Sequence, residues 1–211
     1  MKKFLFAVAG LLAFSTMTFA QKASAGDFNV GITVGGGLSN VRTDATEMDG
    51  VYEEKSIANI QAGVVFDYAF VDNLFLEGGV TFQRKGNKVE KLGVESKTNM
   101  FYVEIPVTMN YRINIGDFGL IPQFGPYVGI GVGGKAKTEV LGQEVKTDVF
   151  GDGAAERLDF GLRMGVGLAF TDNFKLTLGY DMGLLDNKRA DGYDAKNKNG
   201  VLFGALTFYI K

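Results

Sequence analysis

A strict two-residue alternation of apolar with polar or very small side chains is the feature of this sequence that most constrains its fold. Over residues 157–170, Leu, Phe, Met and Val occupy the even positions, whereas Arg, Asp, Gly and Ala occupy the odd ones. Because successive side chains of a β-strand point to opposite faces, this segment predicts a strand with one oily and one polar face. The same rhythm predicts eight strands: residues 28–39, 57–70, 74–85, 101–114, 120–135, 157–170, 174–185 and 201–210.

The connections between these segments alternate in length. Three are short and contain Asp, Asn or Gly: residues 71–73, 115–118 and 171–173. Four are long and polar: residues 40–56, 86–100, 136–156 and 186–200. Short turns at a periplasmic rim and longer loops outside are typical of outer-membrane barrels. The sequence therefore predicts an all-β fold, an eight-stranded antiparallel up-and-down transmembrane β-barrel with both termini at the periplasmic rim.

The first residues carry the pattern of an export signal. Lys2 and Lys3 precede a mostly apolar run over residues 4–19, and small residues around Ala20 suit cleavage. We expect a signal peptide over residues 1–20, with an alternative cut after residue 25, and a barrel domain over residues 21–211. Export followed by a barrel predicts the outer membrane of a Gram-negative cell envelope, with lipid as the immediate partner.

The apolar parity is expected to face lipid and the polar parity to face the lumen. An eight-stranded barrel has an interior just wide enough for side chains to fill, and the Phe, Leu, Tyr, Ile and Met of the apolar parity would overfill it. Glycines and long polar residues suit that space better. Arg163 supports this choice, because a lipid-facing Arg near the midplane costs roughly 2–4 kcal/mol. A soluble lipocalin-like binding barrel, with the apolar face inward, is the alternative.

The polar parity predicts a network of ion pairs and hydrogen bonds that plugs the lumen and prevents conduction. Five acids and six bases fall on this parity, and near-balance is expected because an unpaired buried charge costs several kcal/mol. Lys85, Lys135 and Arg157 are expected to be solvated at the loop-side rim, whereas Glu104, Arg163 and Asp181 should form an internal network. The predicted polar network comprises Asp67, Glu77, Glu104, Arg112, Asp159, Arg163, Lys175 and Asp181.

Aromatic residues near the strand ends are expected at the bilayer interfaces, where Tyr and Trp concentrate in membrane proteins. Ordinary contact with lipid is the alternative for each ring, and the chain has no Trp. The candidates are Tyr68, Phe70, Phe101, Tyr111, Phe118, Phe170, Phe174 and Phe208.

The composition argues against catalysis and against bound metals or cofactors. The chain has no His and no Cys, which removes the commonest general base and the thiolate metal ligand. Residues 129–135 have the spacing of a phosphate-binding loop, but Ala136 stands where Ser or Thr should bind magnesium. Without Lys2 and Lys3 the chain is mildly acidic, which argues against nucleic acid. A barrel enzyme using carboxylates such as Asp67 and Glu77 is the rival class.

Four segments carry a resemblance to a known family. Residues 76–86 (Leu-Glu-Gly-Gly-Val-Thr-Phe-Gln-Arg-Lys-Gly), 102–107 (Tyr-Val-Glu-Ile-Pro-Val), 125–129 and 159–167 resemble the PorT-like outer-membrane barrels of Bacteroidetes. The resemblance implies an eight-stranded barrel and says little about activity, although one relative takes part in protein secretion. We therefore expect a monomeric structural or binding protein whose four loops meet an unknown protein or surface ligand. An accessory role in secretion or envelope biogenesis is the alternative.

Overall fold

A computed structural model describes residues 24–44, 53–91, 94–140, 143–150, 155–186 and 196–210, and the predicted signal peptide lies outside them. All regular secondary structure among these residues is β-strand, and none of them belongs to a helix long and apolar enough to cross a membrane. The strands are β1 (Phe28–Asp44), β2 (Glu53–Val71), β3 (Leu74–Lys91), β4 (Val94–Tyr111), β5 (Ile113–Ile115), β6 (Phe118–Val140), β7 (Gln143–Asp148), β8 (Leu158–Ala169), β9 (Phe174–Gly183) and β10 (Lys196–Ile210).

Eight of these strands close into a ring in which each strand is antiparallel to both neighbours. The ring runs β1-β2-β3-β4-β6-β8-β9-β10 and closes where β10 pairs with β1, from Val30 opposite Ile210 onward. The two short strands lie beside β6: β5 pairs with its beginning and β7 with its end. The predicted eight-stranded antiparallel barrel is therefore confirmed.

The register of the strands sets their tilt. A path through directly opposite residues leaves β1 at Phe28, crosses all eight strands and returns to β1 at Leu38, ten residues farther along. With a rise of ~3.3 Å per residue and a strand spacing of ~4.8 Å, this stagger tilts the strands by about 40°. Transmembrane barrels have the same tilt.

The alternation of the sequence separates the two faces of the wall. On β8, Leu158, Phe160 and Met164 are exposed on the outer face, whereas Asp159 and Arg163 are buried on the inner face. The other strands of the ring follow the same division, so the large apolar side chains lie outside. This arrangement excludes the soluble alternative, in which the apolar face would line the interior.

The strands reach much farther than the sequence predicts at the end opposite the short turns, hereafter the loop end. β1, β2, β3, β4, β6 and β10 each continue into segments that were expected to be loops, and β7 forms wholly within the expected loop 136–156. The fourth predicted strand, by contrast, is interrupted at Arg112, and its last residues form β5. The wall of the barrel therefore projects well beyond the apolar band.

Tight turns join the strands at the other end, hereafter the short-turn end. Asn73, between β2 and β3, has a φ of 65°, and Gly116, between β5 and β6, has a φ of 58°. Asn and Gly tolerate this left-handed conformation better than other residues. The chain reverses direction within two residues at both places.

Candidate functional site in the barrel lumen

Lys85 on β3 is buried in the lumen and joins two carboxylates that lie on the two strands flanking β6, each directly opposite Gly129. Its Nζ forms an ion pair with Glu104 on the neighbouring strand β4 and another, at 2.8 Å, with Asp159 on β8. All three side chains are fully buried, and Asn199 donates a second hydrogen bond to Asp159 at 3.0 Å. The sequence prediction that Lys85 is solvated at the rim is wrong, because β3 continues to Lys91 and places this residue well inside.

Arg163 forms the second cationic centre of the lumen. Its guanidinium donates two hydrogen bonds to Asp181 on the adjacent strand β9, at 2.6 and 2.7 Å, and one to Glu104 at 3.4 Å. This forked pairing is the strongest geometry between an arginine and a carboxylate. Gln83 completes the connection by donating hydrogen bonds to Glu104 at 2.5 Å and to Asp181 at 3.3 Å.

A separate cluster lies nearer the short-turn end. Lys175 on β9 forms an ion pair across the lumen with Glu77 on β3, and the Tyr209 hydroxyl donates a hydrogen bond to Glu77 at 3.1 Å. Asp67 is directly opposite Glu77 in the register of β2 and β3 and is also buried. The lumen thus has two clusters, each joining strands that are far apart in sequence.

Aromatic rings inside the barrel cover the buried cations. The Lys85 ammonium lies 4.6 Å from the centre of the Tyr127 ring and 5.3 Å from that of Tyr102. The Arg163 guanidinium lies 4.9 Å from the Phe203 ring. Cations over aromatic faces are stabilised by the ring quadrupole, more so when desolvated. Tyr102 and Tyr127 have the polar parity of their strands, so the alternation already predicts that they face the lumen. Phe203 lies on β10, where both parities are apolar, so the alternation does not predict its face.

Apolar side chains line the lumen above and below the polar network. At the loop end, Val41, Met100, Tyr102 and Val149 form a buried cluster, and the Phe150 ring packs edge-on against Tyr102 at 5.7 Å. At the short-turn end a second cluster contains Ala69, Phe75, Ile121 and Ala169. The sequence prediction of a purely polar lumen misses both clusters.

Two small cavities lie along the lumen. A cavity of about 90 Å³ opens at the short-turn end, beside Arg112, Asp67 and Tyr209. A second, of about 30 Å³, lies beside Gln123 and Arg163 in the middle of the barrel. For comparison, one molecule of liquid water takes up about 30 Å³.

The eight residues predicted to form the lumen network divide into seven that face the lumen and one that lies at its mouth. Asp67, Glu77, Glu104, Asp159, Arg163, Lys175 and Asp181 are all on the inner wall. Arg112 is only half-buried, beside the break between β4 and β5, and donates a hydrogen bond to Asn114 at 3.0 Å.

The expected balance of lumen charges is not found. Lys135 and Arg157 are exposed, Arg112 lies at the mouth, and three cations remain inside: Lys85, Arg163 and Lys175. These three face five carboxylates. The described lumen therefore has two more acids than bases, so each remaining cation is shared or closely paired.

Most predicted interface aromatics lie on the outer surface at the short-turn end. The exposed members of this group are Tyr68, Phe70, Tyr111, Phe118 and Phe208. Phe174 differs, because its ring stacks on Phe170 at 5.8 Å and packs against Phe208 at 5.0 Å, which leaves it only 5% exposed. Phe101 lies toward the loop end, half-buried and stacked on Phe82.

The described residues contain no group of three or more His, Cys, Asp or Glu side chains arranged to hold a metal ion. The acids of the lumen are instead bound to lysine, arginine and amide donors. The arrangement is therefore suited to connecting different strands of the barrel rather than to presenting a reactive group.

A closed ring of eight tilted strands, apolar outside and ionic inside, defines the class of small outer-membrane β-barrel proteins. The chain belongs to the outer membrane protein beta-barrel domain family, whose model matches residues 19–189. No curated protein sequence matches the chain.

Several solved structures are similar. Ail, the attachment invasion locus protein of Yersinia pestis, is 21% identical, with 88% of this chain and 99% of that chain covered and a TM-score of 0.44. OprG of Pseudomonas aeruginosa is 14% identical, with coverages of 92% and 99% and a TM-score of 0.46. Neisserial surface protein A is 15% identical, with coverages of 86% and 96% and a TM-score of 0.44.

Proposed function

We propose that this protein is an integral outer-membrane barrel whose lumen is closed to ions, and that it acts as a structural or binding protein through its loop end. The observation that carries the proposal is the cluster of Lys85, Glu104 and Asp159, whose fully buried side chains connect β3 and β4 with β8, three strands away from β3 around the ring. A permeating ion would have to displace these contacts and leave buried charges unpaired. Such disruption costs about 3–5 kcal/mol.

The two apolar clusters add to this barrier. Tyr102 and Phe150 lie above the ionic centre, and Phe75 and Ile121 lie below it. A hydrated ion would therefore meet apolar side chains at each end in addition to the ion pairs. This succession supports a closed lumen rather than a narrow pore.

Binding at the loop end is the second part of the proposal. The wall extends far beyond the apolar band there, and the connections over residues 45–52 and 184–195 are longer than any turn at the other end. We place the loop end outside the cell and the short turns in the periplasm, with residues 1–20 removed on export. The likeness to PorT-like barrels adds an accessory role in secretion or envelope biogenesis as an alternative for the same surface.

Catalysis is not part of the proposal. The chain has no His, and the carboxylates of the lumen are engaged with cations and amides. Asp67 and Glu77, the pair considered for a barrel enzyme, lie on adjacent strands beneath Lys175 and Tyr209. The cavity that opens at the short-turn end reaches Asp67, but its volume of about 90 Å³ is far below the roughly 300–1,000 Å³ of ordinary ligand sites.

Planar-bilayer recording tests the closed lumen. We expect no steady conductance from the refolded protein, and a small steady conductance from the triple variant Lys85→Ala, Glu104→Ala, Arg163→Ala. Leu178→Ala, on the outer face, is the matched control and should behave as the parent. Large, steady conductance from the parent protein would refute the proposal.

Loop replacement tests the binding role. Exchanging residues 45–52 and 187–195 for Gly-Ser segments should abolish capture of a partner or surface ligand without changing the heat-modifiable gel mobility of the folded barrel. A partner retained after both exchanges would argue against binding at these loops. Fractionation of the same cells reports whether the protein is in the outer membrane.

A further inference from the structure

Five lysines lie side by side across five neighbouring strands at the loop end. They are directly opposite one another from each strand to the next, in the order Lys55, Lys88, Lys97, Lys137 and Lys146, and we call them the lysine row. Neighbouring strands are ~4.8 Å apart, so the row presents a positive charge at that interval. All five side chains are at least partly exposed.

A row of acids runs parallel to the lysines, two residues farther along each strand. Its members are directly opposite one another from strand to strand, and we call them the glutamate row: Glu53, Glu90, Glu95, Glu139 and Glu144. Like charges directly opposite each other destabilise a sheet. Both rows therefore contain repulsive neighbours, which alternating charges would have avoided.

Ion pairs between the rows run diagonally and offset part of this repulsion. Lys55 pairs with Glu90 at 2.5 Å, and Lys88 pairs with Glu95 at 2.7 Å. The hydrogen bond to Glu95 raises the pKa of Lys88, so this lysine stays charged at neutral pH. Exposed pairs of this kind contribute little to stability, and salt screens them. Because these ion pairs are weak, the lysines remain able to bind another anion.

The lysine row lies on the outer face of the wall, in continuity with the surface that faces lipid. On β4, Lys97 has the same parity as Phe101, whose ring stacks on the exposed Phe82. Met100 and Tyr102, on either side of Phe101, have the opposite parity and are buried inside. Each remaining lysine is directly opposite its neighbour and therefore shares this outer face.

The height of the row matches the region just beyond the hydrocarbon. Lys97 lies four positions from Phe101 along β4, which corresponds to about 10 Å along the membrane normal at a tilt of about 40°. The head groups occupy roughly 5–8 Å on each side of the hydrocarbon. Lysine side chains extend toward such groups while their stems lie along apolar surface. The glutamate row lies farther from the membrane than the lysine row.

The row also climbs from Lys55 to Lys146. The path that leaves Phe28 on β1 returns at Leu38, so directly opposite residues rise toward the loop end from β2 to β7. The rise is about 3 Å per strand at this tilt. A flat layer of phospholipid head groups would meet only the lower lysines, whereas a tall head group with anions at several heights would meet all five.

We propose that the lysine row binds the phosphate groups of a phosphorylated glycolipid in the outer leaflet of the membrane. The inference goes beyond the proposed function and rests on its placement of the loop end outside the cell. The outward face and the position just above the apolar band favour a lipid over a soluble polyanion. Phosphates along the row relieve the repulsion between neighbouring lysines.

Lipid binding by the full mature chain in phosphatidylcholine nanodiscs tests this assignment. Added lipopolysaccharide should bind, and the triple variant Lys55→Gln, Lys88→Gln, Lys97→Gln should bind it about a hundred-fold more weakly, because each lysine near an anionic surface contributes about five-fold. Enzymatically dephosphorylated lipopolysaccharide should bind the parent as weakly as the triple variant binds the intact lipid. Unchanged heat-modifiable mobility shows that the variant is folded.

The glutamate row provides the matched control. Glu90→Gln, Glu95→Gln, Glu139→Gln should bind the lipid at least as tightly as the parent, because it removes competing anions from the same surface. Equal binding by the lysine variant and the parent, or binding of soluble dextran sulfate as tight as that of the lipid, would overturn the proposal. External thiol labelling of Val145→Cys in whole cells tests the orientation separately, since the chain has no other Cys.

Discussion

Replacing Lys85 by methionine removes one buried charge and keeps most of the side-chain volume. In the folded protein this lysine is the direct ionic partner of both Glu104 and Asp159, and none of the three side chains is exposed. After the substitution, Asp159 retains the hydrogen bond from Asn199, and Glu104 retains Gln83 and a longer contact with Arg163. Two carboxylates therefore stay buried with incomplete compensation.

The expected loss of unfolding free energy is about 3–5 kcal/mol, the range found when one partner of a buried ion pair is removed. Two features point to the upper part of this range. Lys85 serves two acids rather than one, and it also lies over the rings of Tyr127 and Tyr102. Lys135→Met, an exposed lysine on the same barrel, should change stability by no more than about 0.5 kcal/mol.

Urea unfolding in phospholipid vesicles measures the difference. Because the chain has no Trp, far-ultraviolet circular dichroism and gel mobility should follow the transition. Adding Glu104→Gln to Lys85→Met should recover part of the loss, since it removes one of the two uncompensated carboxylates. A loss below about 1 kcal/mol for Lys85→Met alone would refute the idea that this cluster holds β3, β4 and β8 together.

Two further substitutions test the faces of the wall. Gly161→Ala should destabilise the barrel by about 1–3 kcal/mol, because the added Cβ would lie 2.2 Å from the Met182 carbonyl oxygen and 2.6 Å from the Tyr127 ring. Gly133→Ala is the control: the added Cβ meets nothing within 4 Å, so the substitution should be nearly neutral. Leu178→Arg, on the outer face midway along β9, should cost about 2–4 kcal/mol, but Ile210→Arg at the short-turn rim only about 0–1 kcal/mol. Urea unfolding in vesicles checks both pairs; equal losses within either pair would contradict the assigned positions.

The strands that cross the apolar band could be predicted from the sequence because lipid imposes a strict chemical alternation there. Residues 157–170 show why: one parity must satisfy lipid and the other must fit a narrow lumen, so the two-residue period is unmistakable. Leu158–Ala169 forms a strand with the expected faces. The same constraint predicted the inner positions of Glu104, Arg163 and Asp181.

The extension of the wall beyond the membrane was not predictable in the same way. Segments such as Gln143–Asp148 are polar on both parities, because water meets both sides of the wall there, and polarity alone suggests a loop. Lys85 was misplaced for this reason: the polar run after it looked like the end of a strand. The ion pairs to specific acids depend on strand register, which the sequence does not state.

The inward aromatic residues show a different limit. Val201, Phe203 and Ala205 face the lumen, while Leu202 on the same strand faces outward. Both parities of β10 are apolar, so alternation does not distinguish its faces. The inward and outward faces of β10 follow only from its pairing with β1 and β9.

Spin-label accessibility along β8 tests most directly the claim that the oily face meets lipid and the ionic face is enclosed. The chain has no Cys, so single cysteines at each position from 158 to 169 can carry the label without background. In lipid vesicles, collisions with oxygen should rise at the outward positions and fall at the positions between them, with a period of two; the outward positions are Leu158, Phe160, Leu162, Met164, Val166 and Leu168. The opposite phase, or no alternation at all, would contradict this account of the barrel.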